Sequence, residues 1–398
     1  MSESAPQSES APPPPAPRRP LVRRLRLEDF RSYARLDLPI EGRLVVFSGE
    51  NGAGKTNLLE ALSLFTPGRG LRRAEFAECA RVGGAGGFAI GLEIENDGET
   101  RKLGTGLAAE GSAVERRNRI DGAAVPSSRA FAEHLRVVWL TPAMDGLFSG
   151  SAGERRRFLD RLVLTLDSEH GSRANRLERA LRGRNRLLEE GARSGAWLDA
   201  IERETAEIAV AVAAARVECT ARLAALVAAT RDETSPFPWP VVALDGQVEA
   251  WAAEKPALEA EDLYRATLRE NRSRDAAAGR TLIGPHVADF VVRHGPKDAP
   301  AEQCSTGEQK ALLVALVLAH ARLTADMSGI APIALLDEIA AHFDPRRRAA
   351  LFAELEKLGG QVFMTGADAQ AFGELRARAA FYDVEPGAVR TLGASGVA

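Results

Sequence analysis

Apolar and polar positions change rhythm along this chain, and the changes divide it. Up to about residue 140 the apolar residues come in short runs or alternate with polar ones. Leu21 to Leu27 and Arg43 to Phe47 predict strands flanking Phe30-Arg31-Ser32-Tyr33, and Asn57 to Leu62 predicts a helix. Phe88 to Glu95 alternates as a half-buried strand does, and Lys102 to Leu107 and Glu115 to Ile120 predict shorter strands. Val137 to Leu140 is a buried-strand run ended by Thr141-Pro142. From Ala152 to about Thr230 the spacing turns helical, dense in Ala, Leu, Arg and Glu. Gly191 to Gly195 interrupts it, so the pattern predicts two helices, Arg176 to Glu190 and Trp197 to Ala229, forming a hairpin or arm. Short heptad runs there allow a coiled coil of only about four to five heptads. Ser235-Pro236-Phe237-Pro238-Trp239-Pro240 is a turn-rich break, followed by a strand at Val241 to Leu244 and a helix near Leu258 to Asn271. Strands return at Phe290 to Val292, Pro332 to Leu336, Gln361 to Met364 and Ala379 to Tyr382, with a helix from Lys310 to Thr324. The simplest account is an α/β domain split by a helical insertion, with a tail at 1–20, head segments at 21–150 and 281–398, and an arm at 151–280.

Composition narrows the class. A chain of 398 residues, 45% hydrophobic and 27% charged, can bury a full core in each of two or three domains. No uninterrupted apolar run approaches the roughly 18 residues of a membrane span, so no membrane is expected. Residues 1–20 are rich in Ser, Ala, Glu and Pro, lack the apolar core of a leader, and predict a disordered tail. Cys79, Cys219 and Cys304 form neither a disulfide framework nor a zinc spacing, which suits a reducing cytoplasm. With a formal net charge of −3, any nucleic-acid binding requires a local basic patch.

The chemistry concentrates in three segments. Gly49-Glu50-Asn51-Gly52-Ala53-Gly54-Lys55-Thr56, followed by Asn57, fills the phosphate-loop pattern between a strand and a helix. Glycines let backbone N–H groups close around phosphates, Lys55 reaches the β and γ phosphates, and the Thr56 hydroxyl can ligate Mg²⁺. This predicts an ATP- or GTP-binding chain. Ile333-Ala334-Leu335-Leu336-Asp337-Glu338 is an apolar run ending in two carboxylates. On a central parallel strand it places Asp337 at Mg²⁺ and Glu338 at the water that attacks the γ-phosphate. Alone, such a run is as well explained by a strand end meeting solvent. Ser305-Thr306-Gly307-Glu308-Gln309 precedes a helix and offers a hydroxyl and free N–H groups to an anion. A plain helix cap with a capping box explains the same residues.

Those segments, together with Asp29-Phe30-Arg31-Ser32-Tyr33, Arg155-Arg156-Arg157-Phe158-Leu159-Asp160, Thr281-Leu282-Ile283-Gly284-Pro285-His286 and Asp344, resemble the RecF family of bacterial DNA gap-repair ATPases. The nucleotide motifs are shared with all ABC ATPases; the Gly-Pro-His and Arg-Arg-x-Phe-Leu-Asp segments are narrower. The resemblance implies an ABC-type P-loop ATPase head with mixed sheets, split by a helical arm (lever) domain. It implies ATP and Mg²⁺, an ATP-dependent homodimer in which Ser305, Gly307 and Gln309 meet the partner's nucleotide, and slow hydrolysis acting as a switch. It also implies binding to double-stranded and gapped DNA, and action with RecR and RecO to help RecA replace single-strand-binding protein. Arg155, Arg156, Arg157, Arg161 and Arg184, with Arg182 and Arg186, are candidate DNA contacts, although a solvated helix face explains any one of them. His286 is open between sensing and capping a turn. Three departures stand out: Val287-Ala288-Asp289 replaces Arg-Asp-Asp, Ala143 follows Pro142 where the family has an acid, and Phe343 replaces a leucine before Asp344. A transporter subunit, a long-armed chromosome ATPase and a clamp that binds ATP without hydrolysis are the competing readings; arm length and the absent cysteine hook oppose the long-armed one.

Overall fold

A computed structural model describes residues 16–108, 116–191, 195–339 and 343–392. Strand β1 (Leu21–Phe30) turns into β2 (Tyr33–Pro39), then β3 (Leu44–Ser48) runs into the phosphate loop and helix α1 (Lys55–Ser63). An antiparallel meander follows: β4 (Phe88–Asn96), β5 (Glu99–Leu107), β6 (Arg116–Ile120) and β7 (Ala123–Val125). After β8 (Val137–Leu140) come α2 (Ala152–Leu166), α3 (His170–Glu189) and α4 (Gly195–Ala229). Strand β9 (Pro240–Asp245) leads to α5 (Gln247–Glu254), α6 (Ala257–Glu270) and α7 (Arg272–Ala278), then β10 (Asp289–His294) and β11 (Ala299–Pro300). The chain closes with α8 (Thr306–Ser328), β12 (Ile333–Leu336), α9 (Pro345–Lys357), β13 (Val362–Gly366), β14 (Ala379–Glu385) and β15 (Ala388–Leu392).

The central sheet has the order β15-β14-β3-β13-β12-β8, parallel except for the antiparallel edge β15. Strands β3, β13, β12 and β8 read as largely apolar runs because both faces are buried. Alternate residues serve opposite cores. Val45, Phe47, Trp139, Ile333, Leu335 and Phe363 face α1 and the antiparallel sheet β2-β1-β4-β5-β6-β7. Leu44, Val46, Leu140, Ala334, Leu336 and Met364 face α2, the end of α4, α8 and α9. Helix α8 is long and apolar enough to cross a membrane by length and composition, yet 72% of that stretch is buried inside the protein. It is a core helix.

Several expectations need correction. The helical stretch holds three helices, since Asp167 to Glu169 breaks it ahead of α3. No two-stranded coiled coil forms among the described residues: α4 packs against α3, α5, α6, β9 and α8, which cover it on several sides. The 151–280 segment does not act as one unit either. Leu177, Leu181, Ala209, Val248, Tyr264 and Leu268 make a separate core in the arm, whereas Phe158, Cys219, Leu223, Phe237 and Val242 belong to the head-side core. Strand β9 pairs with β10 from beyond that boundary. Nor does the tail extend to residue 20: Arg18 forms a bridge with Ile330, through N–H to Gly329 O and its own carbonyl to Ala331 N–H, each 2.8 Å. Residues 1–15 lie outside the described residues. Helix α8 starts four residues earlier than the periodicity marks, directly at the Ser305 cap.

Candidate nucleotide site

The phosphate loop is held by close packing on both sides. Gly49 has φ +147°, and a Cβ there would sit 2.3 Å from Val384 O on β14. Gly54 has φ +113°, and its Cβ would sit 2.8 Å from Ser32 Oγ and 2.9 Å from Tyr33 Oη. Only glycine fits these positions. The Phe30-to-Tyr33 segment braces α1 from below. Arg31 donates twice to the buried Glu60 carboxylate at 2.8 and 2.6 Å, Asn57 Nδ2 donates to Ser32 Oγ at 2.9 Å, and Tyr33 Oη donates to Gly54 O at 3.2 Å. Asn57, expected at the nucleotide, thus has its side chain shared between Ser32 and Arg72.

Lys55 is buried, and its ammonium donates to Gly49 O at 2.5 Å and Glu50 O at 2.8 Å. Desolvation lowers its pKa, opposed by the charges of Glu338 and Asp337. Two strands away across β13, Asp337 ends β12. Thr56 Oγ1 lies 3.0 Å from both Asp337 carboxylate oxygens, so the two residues expected at Mg²⁺ converge from segments far apart in sequence. Their hard oxygen donors suit that ion.

One residue of the site escaped the sequence reading. Thr365, at the carboxyl end of β13, donates to Asp337 Oδ1 at 2.7 Å and accepts from the Glu338 N–H at 2.8 Å. Glu338 has φ +51°, the left-handed region that costs a side chain of order 1 kcal/mol or more. The Thr365 bond, and that from Asp337 N–H to Leu140 O at 2.9 Å, hold the turn there. A polar residue closing the apolar run Val362-Phe363-Met364 was the available signal. Thr365→Val should cost about 1–3 kcal/mol in denaturant unfolding, since it orphans buried polar groups. Turnover should fall about tenfold with ATP affinity nearly kept, measured by steady-state ATPase, because it loosens Glu338 and not the loop.

Thr56 and Asp337 line a cavity of about 760 Å³ with Arg72, Arg73, Ala143, Met144, Glu154, Arg157 and Arg161. Asp145, the nearest acid to the departing Ala143, is turned away and pairs with Lys310 Nζ at 3.1 Å. The signature segment lies elsewhere. Ser305 caps α8, its Oγ accepting from Glu308 N–H at 3.4 Å while Glu308 accepts from Ser305 N–H at 3.0 Å. Lys297 and that N–H hold the Glu308 carboxyl down, to about 2. The capping box is therefore real, and the Ser305 hydroxyl also bonds the Glu308 carboxylate within it. Neither the cavity at Thr56 nor the one at Gly49 to Ala53 is lined by Ser305 or Gly307. Gln309 departs from expectation: it is buried, donating to Cys304 O at 2.9 Å and accepting from Ser149 Oγ at 3.1 Å.

The arginines expected at DNA are mostly internal. Arg184 is fully buried, bound to Glu202, Asp275, Thr281 Oγ1 and Leu268 O at 2.7–3.0 Å. Arg155 pairs with both oxygens of Asp289 at 2.8 and 2.6 Å, and Arg156 donates to Ala288 O. The departure at Val287-Ala288-Asp289 thus keeps the acid that Arg155 needs. Arg161 lies between the Trp139 and Phe158 rings at 5.0 and 4.9 Å. Of the five, only Arg157 is exposed. Arg182 and Arg186 are exposed and face Glu178 and Glu190 one helical turn away. His286 is mostly buried, with Nε2 2.9 Å from Thr281 O across the turn, and burial lowers its pKa. It closes the Gly284-Pro285 turn. His342, next to Phe343 and Asp344, lies outside the described residues.

This arrangement can be set against known proteins. The model of the RecF/RecN/SMC N-terminal domain matches residues 21–389. A DNA replication and repair protein RecF from Mesorhizobium japonicum is 55% identical over 368 residues, spanning 92% of this chain and 97% of the relative. The chain belongs to the RecF family. A RecF from Rhizobium rhizogenes is 52% identical over 373 residues, 94% of this chain and 99% of that protein. In fold, the chain matches a structure of the recombination mediator protein RecF with ATPrS, in the RecFOR pathway, at TM-score 0.82 and 19% identity over 95% and 100% of the two chains. An Smc head domain from Pyrococcus furiosus matches at TM-score 0.51 and 15% identity, covering 94% and 96%. The expected ABC-type head and family are thereby borne out.

Proposed function

We propose that this RecF-family chain is an ATP-gated DNA-binding protein of recombinational gap repair. The observation that carries the reading is the separation of two half-sites on one chain. Thr56, Lys55, Asp337 and Glu338 converge, while the Ser305 hydroxyl and Gly307 line neither cavity at the phosphate loop. Each chain then supplies the loop of one site and the signature of another, and two copies complete two sites. The γ-phosphate is the differential contact that favours the closed dimer.

In this reading Lys55 leaves its loop carbonyls for the phosphates, and the loop N–H groups cradle them. Thr56 and Asp337 would hold Mg²⁺, which would supply positive charge to offset that of the phosphates. Glu338, set by the left-handed turn at the end of β12, orients and deprotonates the attacking water. Hydrolysis removes the bridging phosphate and opens the dimer, so slow turnover resets a clamp. Relatives carry the name DNA replication and repair protein, and a fold neighbour is called a recombination mediator in the RecFOR pathway. On that basis the DNA is double-stranded beside a gap, the partners are RecR and RecO, the effect is RecA loading, and the setting is the cytoplasm. Arg157, Arg182 and Arg186 are the expected arginines still exposed for phosphate contacts, which are sequence-independent and salt-sensitive.

The in-trans geometry has a direct test. Ser305→Arg should leave ATP affinity of the monomer within about twofold, because Ser305 lines neither cavity at the chain's own loop, while blocking ATP-induced dimerisation in light scattering. Lys55→Ala should lose ATP affinity and with it dimerisation. Mixing the two should complete at most one site per heterodimer. Loss of monomer ATP binding in Ser305→Arg would instead place the segment in the chain's own pocket.

A further inference from the structure

The two half-sites are bordered by opposite charge. Helix α9 opens with Arg346, Arg347 and Arg348 directly after its N-cap Asp344 and Pro345. Arg347 Nη1 lies 3.9 Å from where a Cβ on Gly307 would be, so this arginine flanks the signature segment. Its link to Asp344 is loose, at 3.8 Å, and Arg346 is exposed with no ion-pair partner among the described residues. On the other half-site, a cavity of about 680 Å³ is lined by Gly49 to Ala53, including Glu50, and by Asp368 and Asp383. Glu50 and Asp368 are exposed, and neither they nor Asp383 have an ion-pair partner among the described residues. Among the described residues many other surface charges are paired, for example Arg24 with Asp37 and Arg378 with Glu356.

In a two-fold dimer the surface around the signature of one copy must meet the surface around the loop of the other. We propose that Arg346 and Arg347 of one copy pair with Glu50 and Asp368 of a second copy, twice across the interface. The inference rests on the in-trans reading above and adds what aligns the two copies. Bound nucleotide adds negative charge beside Glu50, so the attraction for the arginines grows on binding. Such pairs act on encounter and register, and salt weakens them.

Charge reversal separates this from its alternatives. Arg346→Glu with Arg347→Glu sets acid against acid, and Asp368→Arg sets base against base. With a slowly hydrolysed ATP analogue, each variant alone should self-associate about tenfold or more weakly than the parent at low salt, in light scattering. An equimolar mixture of the two should recover dimer, since both interfaces of that heterodimer again pair opposite charges. Nucleotide affinity and the circular-dichroism melt should stay unchanged in the arginine variant. Asp368→Arg also removes the carboxylate that accepts from Gln370 N–H at 2.8 Å, so its self-association is read against Asp368→Ala, which loses that bond without reversing the charge. Undiminished self-association of either variant, or no recovery on mixing, overturns the pairing. Loss of DNA binding by the arginine variant with dimerisation intact also overturns it, and gives the arginines to DNA. If the parent itself stays monomeric with nucleotide, the in-trans reading fails, whatever the variants do.

Discussion

Glu338→Gln should bind ATP like the parent, lose turnover by about 10²–10⁴-fold, and accumulate as a dimer. The substitution keeps length, hydrogen bonding to substrate and the left-handed backbone at φ +51°, and removes only the proton acceptor. Asp337, Thr365 and Thr56 remain linked, so the Mg²⁺ ligands are unaffected. Light scattering with ATP, beside a steady-state phosphate assay, checks both halves. Turnover near the parent's would remove Glu338 from the chemistry, and a variant wholly monomeric in ATP would detach hydrolysis from dimer opening.

The second large effect is structural. Arg184→Met should destabilise the arm by about 3–5 kcal/mol, because removing one partner of a buried ion cluster leaves charge uncompensated. Among the described residues Asp275 has no other arginine, although Glu202 keeps Arg272. The strap from Thr281 to His286 hangs on the same cluster through Thr281 Oγ1 at 2.8 Å, so the arm and its return to the head should loosen together. Arg182→Met, exposed on the same helix, should shift stability by less than about 0.5 kcal/mol. Denaturant unfolding of both variants measures the contrast. Equal stability of the two would mean that Arg184 is not the tie that its contacts describe.

Much of the site was legible because its motifs are local. Gly49 to Thr56 lies between a strand and a helix that the apolar pattern marks, and Asp337-Glu338 ends an apolar run whose two-faced burial the pattern implies. What stayed hidden depends on long-range packing. Thr365 becomes a site residue only because β13 lies between β3 and β12 in the sheet. The arginines of α2 and α3 look like a basic patch in sequence, since helical spacing carries no record of the acids that Asp289, Glu202 and Asp275 bring from other elements. The arm boundary was misplaced for the same reason: β9 and the last turns of α4 have their partners in β10, α2 and α8. Strands β2 and β15 escaped because each leaves about half of its positions in solvent and pairs with one neighbour.

Retention on gapped duplex DNA with ATP, with ADP and without nucleotide, followed by gel shift at fixed moderate salt, tests the central claim most directly. An ATP-gated clamp should hold the gapped duplex with ATP and release it with ADP or no nucleotide, with Lys55→Ala failing in all three. Equal retention in the three conditions would contradict the account, because DNA binding would then owe nothing to the nucleotide site.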